Sequence, residues 1–159
     1  MEVKIIPTGG LCNRLRAIAT GVAVAKKYHC PSVIYWNNSL GLKADYCELF
    51  KPIPQDDVKL IENKQWLYNI NGNKDYLVRW PLLKTMFEQT VFNFSIYRNG
   101  DEVYSKLKKS YSRSLLLISC YPMCTKYTIQ GMFIPQDDIQ RRINEVVAGF
   151  SERTIGVHI

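Results

Sequence analysis

The chain has 159 residues and a formal net charge of +7, with 47% apolar and 22% charged residues. These values are typical of one soluble globular domain and exclude an intrinsically disordered chain. No apolar stretch approaches the roughly 18 residues of a membrane-spanning helix, and the residues after Met1 do not form a secretory signal peptide. We therefore expect a cytoplasmic protein whose basic charge favours an anionic partner.

The beginning of the chain predicts a β–α–β unit. An apolar strand over Val3–Thr8 is interrupted by Gly9 and Gly10, a helix follows from about Asn13 to Tyr28, and Ser32–Trp36 is a second strand. The helix is predicted from apolar residues at helical spacing, namely Leu15, Ile18, Ala19, Val22 and Ala25. Such a unit requires a parallel sheet with a right-handed crossover.

The middle of the chain has weaker patterns. A short helix is predicted over residues 45–50, and Val58–Glu62 is a third strand. Residues 63–100 are rich in aromatic residues and asparagine. We predict irregular structure or an insertion there, with short strands at Leu67–Ile70 and Tyr76–Trp80.

The last third of the chain returns to clear patterns. We predict a helix over residues 101–109, a buried strand at Leu115–Ser119, and a helix that begins near Pro135 and ends at Gly149. One face of this last helix is apolar and contains Ile139, Ile143, Val146 and Val147. Thr154–Ile159 is a final strand, and because domains rarely end inside a strand, we expect the parent protein to continue.

Strands that alternate with helices predict an α/β fold. We expect a Rossmann-like parallel sheet flanked by helices, in a single domain over residues 1–159. The five cysteines and two histidines form no complete metal-binding cluster. Neither a metal site nor a disulfide framework is therefore predicted.

The glycine pair after the first strand is the candidate binding site. Gly9 and Gly10 let the backbone turn sharply and approach a ligand closely. The following helix presents free N–H groups and the positive end of its dipole, which together suit a phosphate. Open α/β sheets bind ligands beyond the carboxyl ends of their strands, which is where this loop falls.

Two arginines near the start of this helix point in different directions on a helical wheel. Arg16 falls on a polar stripe with Thr20 and Lys27, whereas Arg14 falls on the other side, near Gly21. A cation at a helix N-terminus opposes the dipole. Arg14 is therefore either held toward an anionic ligand or a solvated side chain with a buried stem.

Two segments resemble a known family. The run GGLCNRLRAIATGVAVAKKY, beginning at Gly9, resembles the opening motif GGLGNRLRAIASG of bacterial fucosyltransferase-like proteins, a GT-B superfamily that includes protein O-fucosyltransferases. The chain has Cys12 where this motif has glycine. The segment Thr154–Ile159 resembles the strand that leads into the family's His-x-Arg-Arg-x-Asp motif, of which only His158 lies in this chain.

The resemblance implies the N-terminal half of a GT-B glycosyltransferase, truncated before a second, nucleotide-binding domain. Its implied activity is transfer of fucose from GDP-fucose to a glycan acceptor without a cofactor or metal, with this chain alone inactive. The implied substrate-binding residues are Gly9, Gly10, Asn13, Arg14 and His158. Asn13 could instead cap the helix, and His158 could be a structural strand residue.

Two other functional classes stay open. One is a non-catalytic nucleotide- or sugar-binding module with the same fold. The other is a basic RNA- or membrane-associated protein, which would need a contiguous Lys/Arg face with exposed aromatic residues. We expect no nucleic-acid partner because the aromatic residues are scattered, whereas peripheral membrane association and self-association through an exposed sheet edge stay open.

Overall fold

The computed structural model describes residues 2–39, 41–62, 66–70, 73–87, 89–92, 114–122 and 131–155, together with residues 99, 102, 105 and 107. For residues 73–76 and 92 it describes the backbone only.

Five parallel strands form the central sheet of the described chain. They are β1 Val3–Pro7, β2 Ser32–Trp36, β3 Val58–Glu62, β4 Gln89–Phe92 and β5 Leu115–Ser119. Their order is β3-β2-β1-β5-β4, and every neighbouring pair is parallel. The predicted α/β class with a Rossmann-like parallel sheet is confirmed.

Of the four α-helices described, the last is not buried against this sheet, and the others cover its two faces. The helices are α1 Leu11–Lys27, α2 Tyr46–Leu49, α3 Asn73–Met86 and α4 Asp137–Ala148, with a short 3-10 helix at Trp66–Tyr68. None of the helices in the described part of the chain is long and apolar enough to cross a membrane.

The apolar runs of the central strands bury both sides of the sheet. Every residue of β2 and β5 is buried, as expected for parallel strands covered on two faces. Because side chains alternate along a strand, Ile5 packs with α1 on one face, whereas Ile6 packs against Leu83 and Phe87 on the other.

Helix α1 lies unusually close to β1. A Cβ atom added to Gly21 would lie 2.4 Å from Ile5 Cδ1, so the absence of a side chain allows this approach. Thr20, predicted on a polar stripe, is buried, whereas Arg16 and Lys27 are exposed. The stripe fails at Thr20 because the middle of α1 is buried nearly all round.

The structure corrects the prediction for residues 63–100. Instead of strands at Leu67–Ile70 and Tyr76–Trp80, the chain forms the 3-10 helix, α3 and β4. Helix α3 contains Pro81, and its apolar residues do not all lie on one face. Leu83 is buried, whereas Leu77 and Val78 are exposed. The sequence of α3 therefore lacks the periodicity that identifies a helix.

The helix prediction for residues 101–109 falls mostly outside the described residues. Glu102 and Ser105 are helical, whereas Leu107 is not.

Helix α4 matches its predicted position, but not the expected burial. Its start is anchored by an isolated bridge between Phe50 and Pro135 and by a 2.6 Å ion pair between Lys51 and Asp137. None of its residues is buried against the described part of the chain.

The predicted final strand is not found in the residues that can be described. Thr154 and Ile155 are exposed and outside any strand, and residues 156–159 lie outside the described residues.

Candidate functional site

The loops after β1 and β5 meet at the carboxyl edge of the sheet. Pro7 is paired with Ser119 at the ends of the two strands. One residue later, the Thr8 N–H donates to the Ser119 carbonyl at 2.8 Å. The glycine loop, defined here as Thr8, Gly9 and Gly10, therefore starts from a fixed position at the centre of the sheet.

Gly9 requires the conformational freedom of glycine. Its φ of +81° lies in the left-handed region, and an added Cβ would lie 3.2 Å from the Cys120 Cβ. The loop after β2 also approaches closely, because a Cβ on Gly41 would lie 3.1 Å from the Gly9 carbonyl carbon. Backbone from three strand ends therefore converges at Gly9.

Helix α1 begins directly after this loop. Gly10 is its N-cap and supplies no side-chain cap, and no acidic residue lies in the first turn. The first α-helical hydrogen bond runs from the Arg14 N–H to the Gly10 carbonyl at 3.1 Å. The N–H groups of Leu11, Cys12 and Asn13 precede it and point out of the helix end, where an anion is favoured.

Cys12 fits the helix without strain. It is the second residue of α1, and His29 is the only non-glycine residue of the described chain with positive φ. A glycine is therefore not required at this position, although the resembling motif has one.

Asn13 lies at the third position of α1 rather than at its N-cap, which excludes the capping role considered above. Its side chain is half-buried, and an added Cβ on Gly9 would lie 3.5 Å from the Asn13 Nδ2. No residue that the structure describes forms a hydrogen bond with this amide. It is thus a donor and acceptor beside the glycine loop.

The side chain of Arg14 joins two loops at the carboxyl edge. Its Nε donates to the Gly9 carbonyl at 2.8 Å, its Nη1 donates to the Asn37 carbonyl at 2.6 Å, and its Nη2 donates to the Ser39 Oγ at 2.6 Å. The residue is only 1% exposed. The helical wheel therefore separated Arg14 from the exposed Arg16 correctly.

The environment of Arg14 supplies neutral partners for a charged group. Its guanidinium carbon lies 5.0 Å from the centre of the Trp36 ring, a cation–π arrangement. No carboxylate in the described ranges lies within ion-pair distance of it. Burial lowers the pKa of Arg14, but a guanidinium remains protonated, so it adds positive potential to this edge of the sheet.

The β2 loop, defined here as residues 37–39 and 41–45, is the second element of the site. The Asn37 side chain donates to the Tyr68 carbonyl, and the Trp36 Nε1 donates to the Ala44 carbonyl at 2.9 Å. Ser39 and Leu42 exchange two backbone hydrogen bonds of 3.1 Å each. These contacts hold the loop in a defined conformation against the glycine loop.

Asn37 and Ser39 were missed in the sequence analysis. Their position directly after a predicted parallel strand was the available signal, because the carboxyl ends of parallel strands lie at the same edge of a sheet.

The Glu62 carboxylate, which lies at this edge of the sheet, has a structural role. Glu62, the last residue of β3, accepts hydrogen bonds from the N–H groups of Tyr46 and Cys47 at the start of α2. The Glu48 carboxylate accepts one from the Asp45 N–H at 2.8 Å, which supports the predicted helix start at Asp45.

The structure brings four of the five predicted site residues together. Gly9, Gly10, Asn13 and Arg14 lie at the junction of β1 and α1. His158 lies outside the described residues.

Comparison with known proteins identifies fold relatives. No protein-family model matches the sequence, and no curated protein is significantly similar to it. A structure of NodZ alpha-1,6-fucosyltransferase co-crystallized with GDP aligns with a TM-score of 0.54 over 93% of this chain and 56% of the NodZ chain, at 16% identity.

Further NodZ structures give the same result. The structure soaked with GDP-fucose has a TM-score of 0.53, and NodZ from Bradyrhizobium has 0.54; both alignments cover 93% of this chain and 55% of NodZ at 16% identity. The chain thus spans a little over half the length of these structures. At this identity the resemblance shows a fucosyltransferase-like fold.

Proposed function

We propose that this chain is one half of a fucosyltransferase-like glycosyltransferase, and that its glycine loop and the start of α1 form one wall of a nucleotide-sugar site. The observation that carries the proposal is the uncapped start of α1, placed after a left-handed Gly9 at the carboxyl edge of a parallel sheet. Support comes from the fold shared with NodZ structures that were co-crystallized with GDP or soaked with GDP-fucose.

The proposed reaction transfers fucose from GDP-fucose to a hydroxyl group of a glycan. The hydroxyl oxygen bonds to the anomeric carbon while the bond from that carbon to the diphosphate oxygen breaks, and a base takes the hydroxyl proton. The departing GDP gains negative charge, which N–H donors and cations stabilise. In this chain, the first-turn N–H groups of α1, the Asn13 amide and the positive potential from Arg14 would serve that purpose.

The same site also favours a second candidate, a nucleotide- or sugar-binding module without catalysis. Backbone N–H groups, an amide and a guanidinium bind ligands, but none of them titrates near neutral pH, so none is a general base. We therefore expect the 159-residue chain alone to bind without releasing GDP from GDP-fucose. The glycan acceptor, peripheral membrane association, self-association and the contact of His158 with substrate stay predictions.

Ligand-observed NMR of the 159-residue chain with GDP tests the proposal, since this method detects millimolar affinities. Asn13→Ala should weaken GDP binding by about 10-fold or more, the loss of one hydrogen bond to a charged group. Arg16→Ala is the control, because Arg16 is an exposed cation on the same helix, and it should change the affinity by less than about 2-fold.

Three outcomes have separate meanings. No GDP binding by the folded wild-type chain would contradict the proposed site. Loss of affinity in Arg16→Ala but not in Asn13→Ala would indicate non-specific attraction to a basic surface, because asparagine carries no charge. Equal binding of GDP, ADP and UDP would favour the module over the transferase half.

A further inference from the structure

We propose that Arg14 is a positioning residue, which aims the Gly10 N–H at the ligand by holding the Gly9 carbonyl and ties the β2 loop into the same site. This inference rests on the proposed function for its ligand, a nucleoside diphosphate. Its structural part, the connection between the two loops, stands on contacts within the chain.

The peptide group between Gly9 and Gly10 fixes the direction of the Gly10 N–H. A trans peptide is planar, and its C=O and N–H point in opposite directions. Since the Gly9 carbonyl points at the Arg14 Nε, 2.8 Å away, the Gly10 N–H must point away from Arg14. No acceptor in the described ranges binds this N–H, which therefore joins the free N–H groups at the start of α1.

The β2 loop is bound by the same side chain. The same guanidinium binds the Asn37 carbonyl and the Ser39 hydroxyl. Only a planar group with several donors in fixed directions bridges these acceptors, so a lysine cannot replace it. The close approach of Gly41 to the Gly9 backbone adds a further contact between the two loops.

A positioning role for Arg14 can be distinguished from direct contact between Arg14 and the ligand. Arg14 is 1% exposed, and three of its donor atoms already bind protein atoms. Because so little of the side chain is exposed, a ligand could reach Arg14 only if the loops around it moved. If Arg14 positions the loops, removal of an acceptor such as Ser39 should harm binding; if Arg14 contacts the ligand, the same change should leave binding intact or improve it.

The experiment compares Arg14→Lys, Ser39→Ala and the control Arg16→Ala in the 159-residue chain. Arg14→Lys should weaken GDP binding by about 10-fold and Ser39→Ala by about 3-fold, corresponding to the loss of several or one of these hydrogen bonds. Arg16→Ala should stay within about 2-fold of wild type. Wild-type affinity in Ser39→Ala would overturn the positioning role.

Chemical rescue gives a readout that general structural damage would not produce. Arg14→Ala leaves a cavity in the shape of a guanidinium, and millimolar guanidinium ions should restore part of the lost GDP affinity, whereas sodium at equal ionic strength should not. Absence of rescue in a folded Arg14→Ala chain would contradict the inference. If this variant does not fold, Ser39→Ala decides the question.

Hydrogen exchange without ligand distinguishes failure of this inference from failure of the proposed function. The amides of residues 39 and 42, which are hydrogen-bonded within the β2 loop, should exchange faster in Arg14→Lys and Ser39→Ala than in Arg16→Ala. Unchanged exchange would overturn the connection between the loops for any ligand. Faster exchange in a chain whose wild type binds no GDP would instead refute the proposed ligand and leave the connection standing.

Discussion

Gly9 and Gly10 are adjacent glycines with different backbone requirements. Gly9 has a φ of +81°, whereas Gly10 has a φ of −73° that any residue adopts. An added Cβ on Gly9 would also press on Cys120 at 3.2 Å, while the nearest atom to a Cβ on Gly10 is 4.0 Å away. Only the first glycine is therefore required by the conformation of the loop.

This difference predicts unequal effects of one substitution. Gly9→Ala should lower the free energy of unfolding by about 1–2 kcal/mol, the cost of a left-handed residue with a side chain. Gly10→Ala, the matched control, should change it by less than about 1 kcal/mol. Urea unfolding measures both free energies. Equal losses of stability in the two variants would contradict a left-handed conformation at Gly9.

Tyr35 is a buried tyrosine that should make stability depend on alkaline pH. Burial, followed by the nearby Tyr68, raises its pKa from 10.0 to about 12; the two rings are stacked with centres 3.8 Å apart. Below pH 10 the tyrosine is neutral in both states, so its contribution is constant. Between pH 10 and 12 the unfolded chain ionises first, and the free energy of unfolding falls by up to about 3 kcal/mol.

Tyr35→Phe should remove this part of the alkaline loss. The measurement is urea unfolding at pH 8 and pH 11, with the exposed Tyr121→Phe as the control that keeps the wild-type slope. An identical slope in wild type and Tyr35→Phe would show that Tyr35 ionises equally in both states.

At the scale of elements, α1 and α4 are both amphipathic in sequence but differ in burial. Val22 of α1 is 1% exposed, whereas Val146 of α4 is 61% exposed. The apolar face of α4 has no partner in the described part of the chain, so it contributes little to the stability of that part.

Matched substitutions test this difference. Val22→Ala should lower the free energy of unfolding by about 2–3 kcal/mol, because it leaves a cavity beside the sheet. Val146→Ala should change it by less than about 0.5 kcal/mol. Both replace valine by alanine within a helix, so the gain in helix propensity cancels. A large loss at Val146 would show that α4 packs against a surface of this chain.

The elements also show where sequence patterns were sufficient. β2, β3 and β5 were predicted at their observed bounds. For β2 and β5, the local signal of a compact apolar segment agrees with the tertiary requirement of a parallel sheet. β4 was missed because it is only four residues long and begins with polar Gln89 and Thr90. Its place depends on pairing with β5, which no local pattern encodes.

The site was predictable only in part for a similar reason. Gly9, Gly10, Asn13 and Arg14 are close in sequence and share one strand-to-helix turn. The remainder, Asn37, Ser39 and Gly41, joins the site through contacts that span more than 20 residues of chain. The burial of Arg14 depends on these distant residues, so the helical wheel gave its direction but not its partners.

At the scale of the whole molecule, the order β3-β2-β1-β5-β4 places β1 at the centre of the sheet. The glycine loop therefore lies where the chain turns toward opposite edges, the usual position of a ligand crevice in an open α/β sheet. The groove lined by Lys26, His29 and Asp57 lies at the opposite, amino-terminal edge. Ligand binding at the glycine loop can therefore be distinguished from binding at this groove, because different residues would respond.

A map of amide chemical shifts in the 159-residue chain during titration with GDP tests the proposed nucleotide site most directly. We expect the largest changes at Gly9, Gly10 and the first turn of α1, followed by the β2 loop, with little change around Lys26 and His29. Changes centred on Lys26 and His29, or none at all in the folded chain at millimolar GDP, would contradict the proposed site.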